Sequence, residues 1–242
     1  MIKYLVVFMI GISCLFASDD SIKMQVLTSA KEKARRGDNH AQFGLAKLYY
    51  QGIITEKNYK KAFYWFLKSA KQGNFEAAYY LGNMYAKAQG VEKNLKKSFE
   101  WFEKGAKKGD SNSQLMLAEY YLKGIGVSKD KSKAFQWYKM VADEGYPKAQ
   151  FIVGKMYIKG VGVQKDIEMG KFYLEESAKQ SDPNAQFLLA KMYIEGIDSA
   201  KDMQKAKFLM QQAYLNGKKE AKKYLDQYHW ETIHQQERLP EE

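Results

Sequence analysis

Small and apolar residues recur along the chain with the spacing of one side of an α-helix. Ala41, Leu45, Ala46 and Tyr49 fall at i, i+4, i+5 and i+8, so in a helix they lie along the same side. The pattern returns every 36 residues, the last time over residues 185–193. We call the helix that it predicts in each repeat helix A.

A second helical pattern follows each helix A. Ala62, Trp65, Phe66, Ser69 and Ala70 fall at i, i+3, i+4, i+7 and i+8, which predicts a core-facing stripe with small residues where helices cross closely. We call this second helix helix B. An Asn or Asp stands before each copy, and its side chain is expected to accept a hydrogen bond from a free N–H group of the first turn. The predicted N-caps are Asn58, Asn94, Asp130, Asp166 and Asp202.

Glycines stand at the predicted helix ends with the same 36-residue period. Helix A is predicted to end where glycine permits a left-handed backbone, and helix B to end at a second glycine column in which Ser181 fills one gap. The first column is Gly52, Gly124, Gly160 and Gly196, and the second is Gly37, Gly73, Gly109, Gly145 and Gly217. Since each helix pair must bury its apolar stripes against its neighbours, the predicted fold is all-α, a right-handed α/α solenoid of stacked helix-turn-helix repeats.

The repeat register divides the chain into four segments. Residues 1–17 are predicted to be a signal peptide, 18–40 an N-terminal capping helix, 41–220 five 36-residue repeats, and 221–242 a C-terminal capping helix and tail. The two end segments continue the columns of helix B and helix A respectively, so each is expected to cap the stack with half a unit.

Residues 1–17 have the pattern of an export signal. Lys3 precedes the apolar run Tyr4–Ala17, which is too short to cross a bilayer as a helix. Cleavage is expected after Ala17, and the mature protein is expected to be periplasmic or secreted, with no transmembrane segment. The alternative is a lipoprotein anchored through Cys14, the only cysteine.

The charge balance bears on partners rather than on the fold. The formal net charge is +11, and removal of a signal peptide would take only Lys3 from it. For an exported protein, anionic lipid, acidic cell-wall polymers or acidic proteins are better partners than nucleic acid, which we do not expect. Lysines near the ends of helix B, such as Lys68, Lys71 and Lys104, also have a structural explanation, because the helix dipole favours cations there.

The order of these columns resembles the Sel-like repeat, a relative of the tetratricopeptide repeat. The clearest copy is Ala149, Gly154, Tyr157, Gly160, Gly162, Val163 and Asp166. The resemblance covers about 200 residues and implies an adaptor for protein complexes. Some exported relatives carry paired cysteines in every repeat and are described as penicillin-binding β-lactamases. This chain lacks those cysteines, which weakens the transfer of that activity.

Few residues suggest catalysis or metal binding. Ser128 and Lys131 have the S-x-x-K spacing of serine β-lactamases, but they straddle the loop before helix B and no S-D-N or K-T-G element accompanies them. His229 and His234 are five residues apart, whereas zinc ligands that share a helix face are four apart. We therefore predict no catalytic residue, no metal site and no cofactor.

Helix A supplies the binding hypothesis. By resemblance to tetratricopeptide arrays it should line a concave surface, where an apolar row with polar neighbours suits a peptide or helix. The alternative is that the same row packs between neighbouring repeats. The predicted function is an exported scaffold for protein or peptide partners, with β-lactam binding or hydrolysis and cell-wall carbohydrate binding as alternatives. The predicted binding residues are Phe43, Lys47, Tyr50, Tyr79, Asn83, Leu115, Glu119, Phe151, Lys155, Ile158, Phe187, Lys191 and Ile194.

Overall fold

The computed structural model of the chain describes residues 20–197 and 200–231. The predicted signal peptide, its cleavage point, Cys14 and His234 lie outside these residues. In the described part the chain forms twelve helices and no strand. No helix there is long and apolar enough to span a membrane. The helices are α1 (20–35), α2 (Asn39–Gln51), α3 (Tyr59–Lys71), α4 (Phe75–Lys87), α5 (Leu95–Ala106), α6 (Ser111–Lys123), α7 (Lys131–Asp143), α8 (Pro147–Lys159), α9 (Ile167–Lys179), α10 (Pro183–Glu195), α11 (Met203–Leu215) and α12 (Ala221–Gln227).

The even-numbered helices are the predicted A helices, and the odd-numbered ones are the predicted B helices. Helices α2 and α3, α4 and α5, α8 and α9, and α10 and α11 pack as A–B pairs. The chain divides into two compact units, Met1–Ser113 and Gln114–Glu242, which we call the first unit and the second unit.

Each unit has its own core, built from the predicted stripes. In the first unit Leu45, Phe66, Leu81 and Met84 are fully buried. In the second unit the same helix A column is continued by Val153 and Leu189, both buried. The all-α prediction and the assignment of one helix side to the core are therefore confirmed.

All five predicted N-caps are confirmed. The side chain of each cap accepts a hydrogen bond from the backbone N–H three residues later, as Asp166 does from Met169 at 2.9 Å. Four A helices have side-chain caps as well, Asp38, Asn74, Asp110 and Asp182, which the sequence analysis did not identify. The helix α8 instead begins with Pro147 at its first position, where the absent N–H would have no partner in the helix.

The predicted glycine turns adopt the left-handed backbone that only glycine takes up freely. Every glycine in both columns has a positive φ, and so does Ser181 at 63°. One A helix ends without glycine, since Ala88 takes that conformation at φ 55°. An alanine is therefore tolerated at the position that ends helix A.

Candidate functional site: the helix A surface

In the first unit the predicted aromatic binding residues pack against other rings of the fold. The ring of Phe43 lies 5.7 Å from those of Phe66 and Tyr80, the second of which belongs to the next A helix. Tyr50 lies 5.4 Å from Tyr59 and 5.5 Å from Tyr80. These half-buried rings join consecutive helix pairs, which is the packing alternative that the sequence left open.

Polar contacts also stabilise these packed aromatic residues of the first unit. The hydroxyl of Tyr50 donates to the Gln89 amide oxygen at 3.0 Å, and burial raises the pKa of the Tyr50 phenol above its ordinary value. Asn83 is buried, and its side-chain amide donates to the carbonyl oxygen of Tyr79 at 3.0 Å. Lys47 is half-buried, with its ammonium 5.5 Å from the centre of the Phe43 ring. In the first unit these contacts use part of each side chain for packing within the fold.

In the second unit the row begins on α6. Leu115 is half-buried against the core. Glu119 is also half-buried and forms an ion pair with Lys123, one turn later. Burial raises the pKa of Tyr138, and the nearby carboxylate of Glu119 raises it further. The one acidic residue among the predicted binding residues is thus paired within its own helix.

The row continues on α8 and α10 with aromatic and aliphatic residues. Phe151 and Ile158 pack against one buried cluster, and Phe187 and Ile194 against the next. The ring of Phe187 also meets that of Tyr224 edge-on at 5.5 Å. All four predicted residues are partly exposed, as Phe43 and Tyr50 are in the first unit, so each has one packed side and one accessible side.

Lysines accompany this apolar row. The ammonium of Lys155 lies 5.0 Å from the centre of the Phe151 ring, one helical turn away, and Lys218 lies 5.5 Å from that of Phe187. Lys191 is half-exposed on α10. Ammonium groups over aromatic rings are held by the ring quadrupole and remain available to an anion. We call Phe151, Lys155, Ile158, Phe187, Lys191 and Ile194 the helix A surface of the second unit.

Glutamines form a polar ladder that the sequence analysis missed. Gln42, Gln150 and Gln186 sit near the starts of A helices and are almost fully buried. Their side chains link the preceding helix B to the following one, which satisfies amides that would otherwise be costly to bury. The repeated spacing of these glutamines was the available signal. The side-chain pairs are Gln72 with Gln42 at 2.7 Å, Gln180 with Gln150 at 2.9 Å, and Asn216 with Gln186 at 2.9 Å.

The solvent-exposed side of the B helices in the second unit, which we call its outer side, carries two exposed phenylalanines. Phe172 on α9 and Phe208 on α11 are 51% and 59% exposed. Phe208 also borders a cavity of about 450 Å³ among α9, α10 and α11, together with Leu189, Tyr193 and Leu209. Tyr64, Glu100 and Gln136 stand at the corresponding positions of the other repeats, so this column is aromatic in three repeats of five, a signal that the sequence analysis did not use.

The chemical candidates remain isolated. Ser128 lies exposed in the loop before α7, and Lys131 is the first residue of that helix and also exposed. Over the described ranges, no group of three or more His, Cys, Asp or Glu residues is placed to hold a metal ion. Both residues of the S-x-x-K pair are thus at the surface.

Comparison with known families gives a match over most of the chain. The model of the Sel1 repeat matches five successive segments, 39–74, 75–110, 111–146, 147–182 and 183–218. Each matched segment consists of one A helix and the B helix that follows it. The family repeat and the helix pair of the structure are therefore the same unit.

Solved structures show the same fold. The chain matches a Sel1 repeat protein from Oxalobacter formigenes with a TM-score of 0.80 and 27% identity, over 93% of this chain and 92% of that one. It matches c5321, a protective antigen of uropathogenic Escherichia coli with an SLR fold, with a TM-score of 0.81 and 27% identity over 86% of this chain. The match spans only 45% of the Escherichia coli protein. These neighbours support the predicted solenoid of helix pairs.

A further relative is similar over one short stretch. A putative sel1-like repeat-containing protein, L18, of Acanthamoeba polyphaga mimivirus is 48% identical over 42 residues. That stretch is 17% of this chain and 7% of the viral protein. It supports the repeat and nothing about the rest of the viral protein.

Proposed function

The chain belongs to the Sel1 repeat family, and on that premise we propose that it is an exported scaffold that binds an acidic segment of a partner protein through the helix A surface of the second unit. Stacked helix pairs of this family serve protein interaction in general. The partner, its acidic character and the surface are parts of our proposal.

The observation that carries the proposal is the half-exposed apolar row beside lysines on α8 and α10. The core of these helices is already filled by the buried Val153 and Leu189. Phe151 and Phe187 therefore offer apolar area beyond what the core requires, and aromatic side chains carry much of the energy of protein interfaces.

Charge supports an acidic partner. Among the residues that the structure describes, neither Lys155 nor Lys191 forms an ion pair. Their ammonium groups stand beside the apolar row, where carboxylates of a bound segment would meet them. Exposed charges of this kind accelerate encounter and fix register more than they add affinity.

The proposal is tested by capture followed by two matched double variants. The mature chain is used to capture envelope proteins, which are identified by mass spectrometry, and the affinity of the captured partner is then measured. Changing Phe151 and Phe187 to Ala should weaken binding by tenfold or more. Changing Phe172 and Phe208 to Ala, on the outer side of the same unit, should leave binding unchanged.

Packing makes a thermal control necessary. Full truncation of a buried Phe costs about 3–5 kcal/mol, so these half-exposed rings should cost less each, and both double variants should remain folded. Equal affinity of the two folded variants would remove the helix A surface from the proposal. Loss of binding only in the Phe172 and Phe208 variant would move the site to the outer side.

Export is a separate part of the proposal, supported by residues 1–17. If the segment is a cleaved signal, the mature protein should begin at Ser18 and be recovered from the envelope or medium. N-terminal sequencing of the native protein tests this. A protein that begins at Met1 and stays in the cytoplasm would contradict it.

A further inference from the structure

Lysines cover the outer side of two consecutive B helices in the first unit. They stand at equivalent positions of α3 and α5, and every one is exposed. We call them the lysine face. Its members are Lys60, Lys61, Lys68 and Lys71 on α3, and Lys96, Lys97, Lys104 and Lys107, which follow the same order along α5 and just past its end.

Little negative charge neutralises this face. Two acidic residues of α5, Glu100 and Glu103, lie between these lysines along the helix. In the described ranges a single ion pair involves the eight lysines, between Lys107 and Glu103 at 3.1 Å. Uncompensated like charges on a surface repel one another, and an anionic partner would relieve that repulsion.

Helix stability alone does not account for the lysine face. The B helices α7 and α9 of the second unit have the same dipoles and the same turns, yet they carry no such row. At the positions equivalent to Lys60, Lys61, Lys68 and Lys71, α7 has Ser132, Lys133, Met140 and Asp143, and α9 has Glu168, Met169, Glu176 and Lys179. The basic charge is thus a property of the first unit and not of the repeat.

Aromatic rings are interleaved with the lysines. Tyr64 is 50% exposed, and the ammonium of Lys68 lies 5.1 Å from its ring centre. The ammonium of Lys104 lies 4.3 Å from the ring centre of Trp101, which is half-buried. Tyr and Trp beside Lys are the residue types that lie at the boundary between lipid headgroups and water, since each combines an apolar body with a polar end.

We propose that the lysine face docks the protein onto the surface of an anionic lipid bilayer. The charges are spread along two B helices of the first unit, each about 20 Å long, at equivalent positions of each. Lysine presents a mobile point charge, whereas arginine suits the paired geometry of a single carboxylate or phosphate. An array of point charges spread along two helices matches phosphates distributed over a leaflet.

The inference concerns a different unit and a different ligand from the proposed protein partner. Bound lipid surface and bound protein segment would engage separate residues. The two proposals therefore fail independently.

The test is partitioning of the full chain onto vesicles. One set contains phosphatidylglycerol mixed with phosphatidylcholine, and the other contains phosphatidylcholine alone. The test variant changes Lys60, Lys71, Lys96 and Lys104 to Gln, which removes four charges and keeps the apolar stems. The control variant makes the same change at Lys148, Lys159, Lys165 and Lys207, which are exposed in the second unit. Residues 1–17 are identical in all three chains, so their contribution cancels between variants.

We expect the unaltered chain and the control variant to bind anionic vesicles alike and to lose that binding in high salt. A basic residue close to an anionic leaflet strengthens binding by about fivefold, so the test variant should bind at least about 100-fold more weakly. Equal losses in the two variants would show that net charge alone matters and would overturn the proposal. Indifference of all three chains to phosphatidylglycerol would overturn it as well.

A soluble competitor separates lipid from an acidic protein as the natural ligand. Poly-glutamate at the same charge concentration should displace the chain from vesicles only weakly, because it cannot present a flat layer of phosphates. Tight binding of poly-glutamate that depends on the same four lysines, without vesicle binding, would refute the membrane assignment in favour of an acidic protein.

Discussion

Alanine at Gly162 is expected to damage the contact between neighbouring repeats. This glycine has φ +74°, and a Cβ atom built on it would lie 2.0 Å from the carbonyl oxygen of Lys131. Lys131 begins α7, the B helix of the preceding repeat. Because the clashing atom belongs to the backbone, the loop or the start of the helix must move to accommodate the methyl group.

A second glycine of the same unit separates backbone strain from the clash. Gly124 also has φ +74°, but its Cβ would come no closer than 3.3 Å to another atom. Both substitutions incur the cost of a left-handed alanine, about 1–2 kcal/mol. The chain already holds Ala88 in that conformation at the end of α4. Only Gly162→Ala also forces a methyl group into occupied space, which costs about 1–3 kcal/mol more.

Thermal melting followed by far-UV circular dichroism measures the difference. For a chain of this size 1 kcal/mol shifts the melting temperature by about 2–4 °C, so Gly162→Ala should melt about 2–12 °C below Gly124→Ala. Equal melting temperatures would refute the inference that this loop sets the distance between repeats.

Three further outcomes follow from hydrogen bonds and from the loop chemistry. The N–H of Lys133 holds the pKa of Asp130 below its usual value, and that of Lys205 does the same for Asp202. The contribution of these two carboxylates to the free energy of unfolding is therefore complete above the ordinary carboxyl pKa of about 4. It is lost as the pH falls through their lowered pKa. Changing both to Asn should flatten the loss of melting temperature on acidification, and an unchanged pH profile would contradict this. Gln150→Ala removes a buried amide and should lower the free energy of unfolding, measured with denaturant, by about 1–3 kcal/mol. Gln180→Ala, at the exposed end of the same hydrogen bond, should lower it less. The reverse order would contradict the structural role of the glutamines. Ser128→Ala should leave any β-lactam turnover unchanged, and loss of turnover in folded protein would make the chain an enzyme.

The fold could be predicted because each recurring position of the repeat has one strong local requirement. Asp166 must satisfy free N–H groups, Gly160 must take a positive φ, and Leu189 must be buried. Each requirement recurs every 36 residues, so the sequence repeats the evidence five times. The A and B helices, the caps of the B helices and the glycine ends were predicted for this reason.

The surfaces were harder to predict because the contacts that decide them do not recur in every repeat. Whether Phe43 or Phe151 faces a partner or the next repeat depends on ring contacts across helices, which spacing along one helix does not specify. Phe208 belongs to a column that also holds Tyr64 and Phe172, but Glu100 and Gln136 interrupt it, so its aromatic signal is weak. The same averaging conceals the lysine face, since a signal confined to two repeats disappears when five are compared.

Photo-crosslinking tests the central claim most directly. A photoreactive phenylalanine analogue is placed at Phe151 or Phe187, and for comparison at Phe172 or Phe208, and the chain is irradiated with its captured partner. The account predicts crosslinks from the two positions on α8 and α10, joined to an acidic segment of the partner, and none from α9 and α11. Crosslinks from Phe172 and Phe208 alone would contradict it.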